Sequence, residues 1–205
     1  MKVAAVTITY NRLELTKKTV ESFYEKTNVD FHLFIDNGST DGTQEYLKGF
    51  NHVLLDRNYG IAYAFREAVR LLKDYDFILK LDNDVETVTF NVINKMLSFY
   101  ELNGRNYIVS PVDLNLDKAY SPAVFGEQNL KGFKARFTTH TGGAFQLAPN
   151  VICQRLCTEF KHLKYGDYMI GKYYRRHAYR PVYLLDLEMK HIGINQSTPS
   201  KEYVL

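Results

Sequence analysis

The alternation of short apolar runs with helix-length segments in the first 112 residues restricts the fold more than any other feature. Runs such as "KVAAVTIT", "FHLFID" and "DFILKLD" have the composition of buried strands. Between them lie segments with apolar residues at helical spacing, of which "IAYAFREAVRLLKDY" is the most strongly amphipathic. Strands separated by helices of this length form right-handed βαβ units. We therefore predict an α/β fold with a mostly parallel central sheet and helices on both faces.

Polar residues follow three of these predicted strands directly. The clusters are "TYNR", "DNGS" and "LDND". In open α/β sheets, ligands bind at the carboxyl ends of the strands. We therefore expect the three clusters to converge on one cleft.

The second half of the chain, from about residue 113, has a different pattern. Residues 113–137 are polar and rich in turn formers, which predicts a hairpin or a loop. In "THTGGAFQLAPNVI" a glycine pair precedes a predicted helix start, "GDYMIGKYYRRHAYR" is predicted to be helical, and "PVYLLDLEMKHIG" is strand-like. With no linker or repeat, we predict a single domain over 1–205, whose second part, 113–205, faces the substrate.

Composition and charge exclude several classes of protein. Hydrophobic residues make up 45% and charged residues 24%, which indicates a globular chain, and a net charge of +3 does not argue for a nucleic-acid partner. No run approaches the ~20 apolar residues of a membrane span. The start, "MKVAAVTITYNR", is read as a first strand and not as a signal peptide. The two cysteines of "CQRLC" share a helix face, which favours core packing, and we expect a cytoplasmic protein.

The stretch "LKLDNDVE" places Asp82 and Asp84 two residues apart after a predicted strand. A calcium loop of the EF-hand type would need a glycine that is absent here. A phosphatase of the haloacid dehalogenase type has its aspartate pair after the first strand, whereas this pair follows the fourth. Two interpretations remain, namely a polar turn and a Mg²⁺ or Mn²⁺ site that holds the diphosphate of a nucleotide sugar.

The ordered set "VTITYNR", "FIDNGSTDGT", "NYGIAYA" and "LKLDND" resembles the inverting family-2 glycosyltransferases of the GT-A fold. The resemblance is strong over residues 3–90 and continues more weakly through "TGGAF", "YGDYMIG" and "KHIG" to residue 193. It implies a single GT-A domain with a Rossmann-like sheet and a small antiparallel extension on the acceptor side. Residues 1–112 would bind the nucleotide sugar, and residues 113–205 would supply the acceptor side and the catalytic base.

The resemblance also implies roles for individual residues. Asp36 would contact the base, Asp82 would contact the ribose or reach the metal through water, Asp84 and His191 would bind the metal, and Asp167 would be the catalytic base. The full set implied to bind the nucleotide sugar is Thr9, Tyr10, Asn11, Arg12, Asp36, Asn58, Gly60, Asp82, Asn83, Gly142 and Gly143. Ser39 and Asp41 are interpreted as turn and capping residues.

Structural alternatives remain open for several of these residues. Tyr10 and Asn11 also suit a capped strand-to-helix turn, Asp167 suits a helix N-cap, and a lone histidine such as His191 is often structural. The chain departs from the family pattern at Asn37, where a second aspartate is usual, and at Gly166, where a glutamate is usual. Asn58 and Gly60 match the first half of an "NxG" element of the family, and the usual second half of that element is missing from "IAYAFREAV".

The expected function is inverting, metal-dependent transfer of one monosaccharide from a nucleoside diphosphate sugar to an acceptor hydroxyl, with Mn²⁺ or Mg²⁺ as cofactor. The acceptor would be a glycan, a lipid-linked glycan or another hydroxyl compound. The alternatives are a non-catalytic nucleotide-sugar-binding module and a transferase acting on a modified base in nucleic acid. The chain lacks the glycine-rich loop that a nucleotidyltransferase needs and the one that a dehydrogenase needs, which argues against both classes. We expect a cytoplasmic protein, either soluble or peripheral at the inner face of the membrane.

The basic and aromatic segment "KYYRRHAYR" has two open interpretations. It could bind a diphosphate, a lipid pyrophosphate or a nucleic acid, or it could be a solvated helix face with buried tyrosines. No role is assigned to Arg175 or Arg176.

Overall fold

The computed structural model describes residues 1–115, 122–159 and 167–193. The strands are β1 (Val3–Thr9), β2 (Phe31–Asp36), β3 (Asn51–Leu54), β4 (Phe77–Leu81), β5 (Val85–Thr87), β6 (Tyr107–Asp113), β7 (Val124–Leu130), β8 (Phe133–Thr138), β9 (Phe145–Pro149) and β10 (Arg180–His191). The helices are α1 (Leu13–Lys26), α2 (Thr43–Leu47), α3 (Ile61–Leu71), α4 (Val92–Asn103), α5 (Asn150–Glu159) and α6 (Asp167–Arg176).

The described strands form one mixed sheet in the order β3-β2-β1-β4-β9-β6-β10-β8-β7, and β5 pairs with β10 outside this path. The pairs β1–β2, β1–β4, β2–β3 and β6–β10 are parallel. The predicted α/β class with a mostly parallel sheet flanked by helices is confirmed.

Two apolar layers cover the sheet because side chains alternate between its faces along each strand. On β1, Val3 and Ala5 join the core under α1 and α4, whereas Ala4 and Val6 join the core under α3, α5 and α6. Phe23 lies on the apolar face of α1 and packs into the first layer, and Phe65 lies on the apolar face of α3 and packs into the second. The helices are therefore fixed mainly by their apolar stripes.

Strand β9 corrects the sequence prediction, which had only a helix start after the glycine pair. The segment "FQLAP" is a buried strand that runs antiparallel to both β4 and β6. The helix α5 begins only afterwards, at Asn150. The sheet is consequently continuous across residue 112, since a strand from the second part lies between two strands of the first.

The predicted hairpin in the second half is present as β7 and β8, which form the antiparallel extension of the sheet. The expected segment 113–137 lies partly outside the described residues, at 116–121. Strand β8 pairs antiparallel with the first half of β10. Strand β10 then continues to His191, and its register against β6 shifts between Leu184 and Glu188.

Two further expectations can be compared with the structure. Cys153 and Cys157 are free and buried in the core beside α3, as predicted, and burial raises the pKa of the Cys153 thiol. Within the described ranges, no helix combines the length and the apolarity that crossing a membrane requires.

Candidate functional site

The candidate site lies where the strand order of the sheet reverses. From β1 the chain proceeds outward on one side through β2 and β3, and it then returns to place β4 on the other side of β1. Such a switch point opens a crevice at the carboxyl ends of the two central strands. Residues 9–12 leave β1 at this crevice, and residues 82–84 leave β4 there.

Asp84 is the centre of the charged group in this crevice. Asp84 is only 6% exposed, and each oxygen of its carboxylate has a hydrogen-bond partner. Arg12 Nη1 donates to Oδ2 at 2.8 Å, and His191 Nε2 lies 3.0 Å from Oδ1. The structure therefore brings together three of the residues singled out from the sequence.

The partners of Asp84 favour its ionised form. Burial alone would raise the pKa of Asp84, but the hydrogen bond from His191 and the positive charges of His191, Arg12 and Lys80 together lower it. The hydrogen bond to Asp84, opposed in part by burial, raises the pKa of His191. Asp84 is thus held as a carboxylate within hydrogen-bond reach of an imidazole.

Backbone contacts hold the end of β10 against Asp84. The His191 N–H donates to Asp113 Oδ1 at 3.0 Å, and the Ile192 N–H donates to the Asp84 carbonyl at 2.8 Å. A Cβ at Gly193 would lie 2.1 Å from Asp84 Oδ2, a distance that real Cβ atoms do not adopt. Gly193 is therefore required by the close approach of the backbone, a role that the sequence did not show.

Asp82 points to a different set of partners. Its carboxylate pairs with Lys80 Nζ, which also donates to the Gly143 carbonyl at 2.7 Å. The Asp82 N–H donates to the Ala144 carbonyl at 2.8 Å. The glycine segment is thus joined to the end of β4, and Lys80, which the sequence reading did not single out, makes this connection.

The neighbouring Gly142 is held from another direction. Its N–H donates to the Tyr183 hydroxyl at 2.6 Å, so β10 also supports the glycine segment. Asn83, between the two aspartates, donates to Thr16 Oγ1 on α1 at 3.1 Å. Its predicted contact with the donor stays a prediction.

Asp36 organises the turn after β2. It is fully buried, and protein groups surround its carboxylate. The donors are the N–H groups of Gly38 and Ser39 and the side chains of Thr9, Ser39 and Gln44. This hydrogen bonding gives Asp36 and Thr9 a structural role, and the contact of Asp36 with a base stays a prediction.

The turn after β1 has left-handed backbone at two consecutive non-glycine residues, Asn11 and Arg12. Ser39 Oγ accepts from the Asn11 N–H at 2.7 Å, and Asn11 Oδ1 accepts from the Thr40 N–H at 2.9 Å. Asp41 Oδ2 accepts from the Leu13 N–H at 2.9 Å, at the first residue of α1. Ser39 is therefore a turn residue, as expected. Asp41 was expected to cap α2, and its Oδ1 accepts from the Thr43 N–H at 3.1 Å, at the first residue of that helix, so that it serves the starts of both α1 and α2. This scaffold aims Arg12 at Asp84.

Asn37 attaches the segment Asn58–Gly60, here called the "NYG" wall, to the turn that follows β2. Its amide donates to Asn58 Oδ1 at 2.8 Å, and its carbonyl oxygen accepts from the Tyr59 N–H at 2.9 Å. Asn58 Oδ1 also accepts from the Gly60 N–H at 2.9 Å. An aspartate at position 37 could accept but not donate. The departure from the family pattern at Asn37 thus has a direct structural use.

Aromatic rings lie in the segments that follow β1 and β3 in the chain. Tyr10, directly after β1, is half-buried, while the rings of Tyr59 and Tyr63 stack with centroids 4.7 Å apart. The guanidinium of Arg57 lies over the Tyr59 ring at 4.9 Å. Planar groups of this kind suit contact with a base or a sugar ring.

The predicted base, Asp167, is the first residue of α6. Its side chain and Gly166 lie outside the described residues. The position of the helix is nevertheless defined, because a Cβ at Gly171 would lie 2.4 Å from the His140 Cβ and 2.6 Å from the Thr139 carbonyl oxygen. Gly171 thus lets α6 pack directly on the segment that leads to Gly142.

A divalent cation would find two protein ligands of suitable type here. Asp84 offers a carboxylate and His191, in its deprotonated form, an imidazole, and hard oxygen donors with one nitrogen suit Mn²⁺ or Mg²⁺. Within the part of the chain that the structure describes, no group of three or more His, Cys, Asp and Glu side chains is arranged as a metal site. The pair fits a cation whose other ligands come from a bound diphosphate and water.

Comparisons with known proteins agree with this architecture. The model of the family described as "Glycosyl transferase family 2" matches residues 4–154. A search of curated protein sequences gives no match to the chain.

Three solved structures are similar in fold. GalNAc-T7 with UDP, GalNAc and Mn²⁺ superposes with a TM-score of 0.70 at 12% identity, covering 93% of this chain and 43% of that one. The mannosyltransferase PcManGT from Pyrobaculum calidifontis, in complex with GDP-Man and Mn²⁺, gives 0.69 at 16% identity, with 98% and 58% covered. S. aureus TarS 1-349 in complex with UDP-GlcNAc gives 0.68 at 14% identity, with 95% and 61% covered.

The chain spans less than two thirds of the length of these three structures. The family model, in contrast, covers most of the chain, from β1 into α5. The chain therefore belongs to glycosyl transferase family 2, and its fold is the GT-A fold.

Proposed function

We propose that the protein transfers a single monosaccharide from a nucleoside diphosphate sugar to an acceptor hydroxyl, with inversion at the anomeric carbon. The observation that carries this proposal is the convergence of Asp84, His191 and Arg12 at the switch point of the sheet. A nucleotide sugar needs positive charge near its diphosphate as that group leaves. Arg12, and a divalent ion held by Asp84 and His191, would provide it.

The cation, when bound, acts as a Lewis acid for the leaving diphosphate. The protein groups have separate tasks around it. Asp84 remains ionised, Arg12 contributes a guanidinium that suits phosphate, and Lys80 holds Asp82 and the glycine segment together. In this proposal Mn²⁺ or Mg²⁺ is the cofactor, and the similar structures that contain UDP, GDP-Man and Mn²⁺ support that choice.

Asp167 is proposed as the base that takes the proton from the acceptor hydroxyl. A carboxylate at the start of α6 would remain ionised beside the positive end of the helix. One base suffices for an inverting transfer, in which the acceptor oxygen attacks from the face opposite the diphosphate. Gly171 supports this role by fixing the helix close to the glycine segment.

The donor is tested with a thermal-shift panel of UDP-, GDP-, dTDP- and CDP-linked sugars with and without Mn²⁺. A bound donor stabilises the folded state, so one of these nucleotide sugars, together with Mn²⁺, should raise the melting temperature. Donor binding without transfer to any acceptor, including a modified base in nucleic acid, would favour the non-catalytic module. The absence of a shift with all four classes would contradict the proposal.

The catalytic role is tested with Asp167→Asn, which keeps the size of the side chain. We expect turnover to fall by about 10²- to 10⁴-fold, the usual contribution of a general base, with donor affinity unchanged. Asp186→Asn is the matched control, because Asp186 is an exposed aspartate on β10. Unchanged turnover in Asp167→Asn would exclude it as the base.

A further inference from the structure

A second pocket lies at the start of β10, whereas His191 lies at the end of the same strand. It has a volume of about 280 Å³ and is formed between the β7–β8 hairpin, the end of α6 and the first residues of β10. Arg180 is level with Tyr107, the first residue of β6, so the pocket is near the amino ends of these parallel strands. It is therefore separate from the crevice at the carboxyl ends.

Two arginines line this pocket, Arg175 from α6 and Arg180 from β10. Over the described part of the chain, neither guanidinium is within salt-bridge distance of a carboxylate. The nearby acid on β7, Glu127, is paired with Arg136 instead. The pocket thus concentrates positive charge that no described carboxylate neutralises.

Arg175 provides an independent observation. Its Nη1 atom is buried and has no hydrogen-bond partner among the described residues. A buried guanidinium nitrogen without an acceptor is costly, because charged groups lose the most when they leave water unpaired. An anion in the adjoining pocket would provide the counter-charge that this guanidinium lacks among the described residues.

Aromatic rings support both guanidinium groups. Arg175 Cζ lies 5.9 Å from the centroid of Phe125, and Arg180 Cζ lies 4.5 Å from that of Phe137. A guanidinium over a ring is oriented by the cation–π attraction while its N–H groups at the edge stay available to a phosphate. Phe125 is 66% exposed at the rim, where it could contact the body of a ligand.

We propose that this pocket binds a phosphate monoester, at a site distinct from that of the nucleotide sugar. Arg175 and Arg180 supply the donors, and Gln128 and Thr138 line the remainder with neutral polar groups. The phosphate could be carried by a soluble compound or by a lipid headgroup, since the two share this chemistry.

The test measures binding of glycerol 2-phosphate by calorimetry. UDP, GDP, dTDP and CDP are each added at saturation in turn, so that the nucleotide that fits fills the nucleotide site. We expect Arg180→Gln to weaken glycerol 2-phosphate binding about tenfold and the double variant Arg175→Gln/Arg180→Gln to abolish it, with nucleotide affinity unchanged in both. Arg70→Gln is the control, because Arg70 is an exposed arginine on α3. No binding to the wild-type chain, or equal binding to the double variant, would overturn the proposal.

A second arm identifies the source of the phosphate and protects against a folding defect. Sedimentation with vesicles of phosphatidylcholine containing one fifth phosphatidate would show binding that depends on Arg180 if the natural ligand is a lipid. Binding of the soluble ester alone would indicate a soluble ligand. Arg180 is exposed, so its variant should keep the wild-type melting temperature. If it melts normally and still binds both probes at full affinity, the phosphate site is excluded.

Discussion

Arg12 donates a hydrogen bond to the buried carboxylate of Asp84, although 72 residues separate them in the chain. The guanidinium neutralises Asp84 from one side while His191 approaches from the other. In the absence of a cation, Arg12 therefore binds Oδ2 of Asp84, an oxygen that could otherwise bind the metal. Arg12 and a metal would compete for Asp84, and this relationship gives the first prediction.

Arg12→Ala should increase the affinity of the nucleotide-free protein for Mn²⁺. A partly exposed ion pair contributes about 1 kcal/mol, which corresponds to an increase of roughly fivefold. Electron paramagnetic resonance of free Mn²⁺ measures this affinity directly. Arg70→Ala, which removes an exposed arginine from α3, should leave it unchanged. A lower Mn²⁺ affinity in Arg12→Ala would show that Arg12 assists the cation.

Gly193→Ala should disturb the position of Asp84. The new methyl group would overlap its carboxylate, so we expect destabilisation of about 1–3 kcal/mol and loss of Mn²⁺ binding. Urea unfolding and Mn²⁺ titration measure the two effects. Gly49→Ala is the control, since the nearest atom would be 3.9 Å from its Cβ. Wild-type Mn²⁺ affinity in Gly193→Ala would argue against Asp84 as a ligand.

Asn37→Asp should weaken the attachment of the "NYG" wall. The carboxylate cannot donate to Asn58 Oδ1 and would repel it, which should cost about 1–3 kcal/mol of unfolding free energy. Asn106→Asp, at an exposed position before β6, should cost little by comparison. Chemical denaturation at neutral pH compares the two variants. Equal stability would mean that the amide contact with Asn58 contributes nothing measurable.

His32 should make the protein sensitive to acid. Burial lowers its pKa to about 3, and the neutral ring bonds with Thr7 and Tyr24. Because the unfolded chain takes up a proton near the ordinary value of 6.5, stability contributed by the neutral ring is complete above pH 6.5. It should decline as the pH falls from 6.5 towards 3.

The measurement is the melting temperature as a function of pH for the wild type and for His32→Gln. The variant should be less stable at neutral pH, yet it should lose less stability between pH 6.5 and pH 4. The prediction is tested by the slope of the melting temperature against pH, and not by the melting temperature at any one pH. His52→Gln, at a partly exposed position, serves as the control. Parallel slopes for wild type and His32→Gln would contradict the assignment.

The sequence predicts the strands of the first half because apolar runs and amphipathic helices alternate there clearly. It fails at β9, since "FQLAP" is a short apolar run with no periodicity that distinguishes a buried strand from a helix. The structure also places Asp84 and His191 together, as the family resemblance implies, although metal binding and the other site roles remain predictions.

Several roles in the site have no signal in a single sequence. Lys80 occupies an ordinary strand position, and only the antiparallel approach of β9 brings the Gly143 carbonyl to it. Gly193 stands at the end of a strand-like run. Only glycine fits there because Asp84, which is far away in the sequence, lies directly against it in the fold. Such roles arise from long-range contacts, which local propensity does not contain.

The central position of β9 has a consequence for how the protein is made. As the chain emerges from the ribosome, β1 to β4 can pair with one another, but the far edge of β4 has no neighbour until Phe145–Pro149 has been synthesised. An unpaired edge can pair with another chain. The nascent protein should therefore be most prone to self-association during this interval, and a fragment ending at residue 112 should not accumulate as a native monomer.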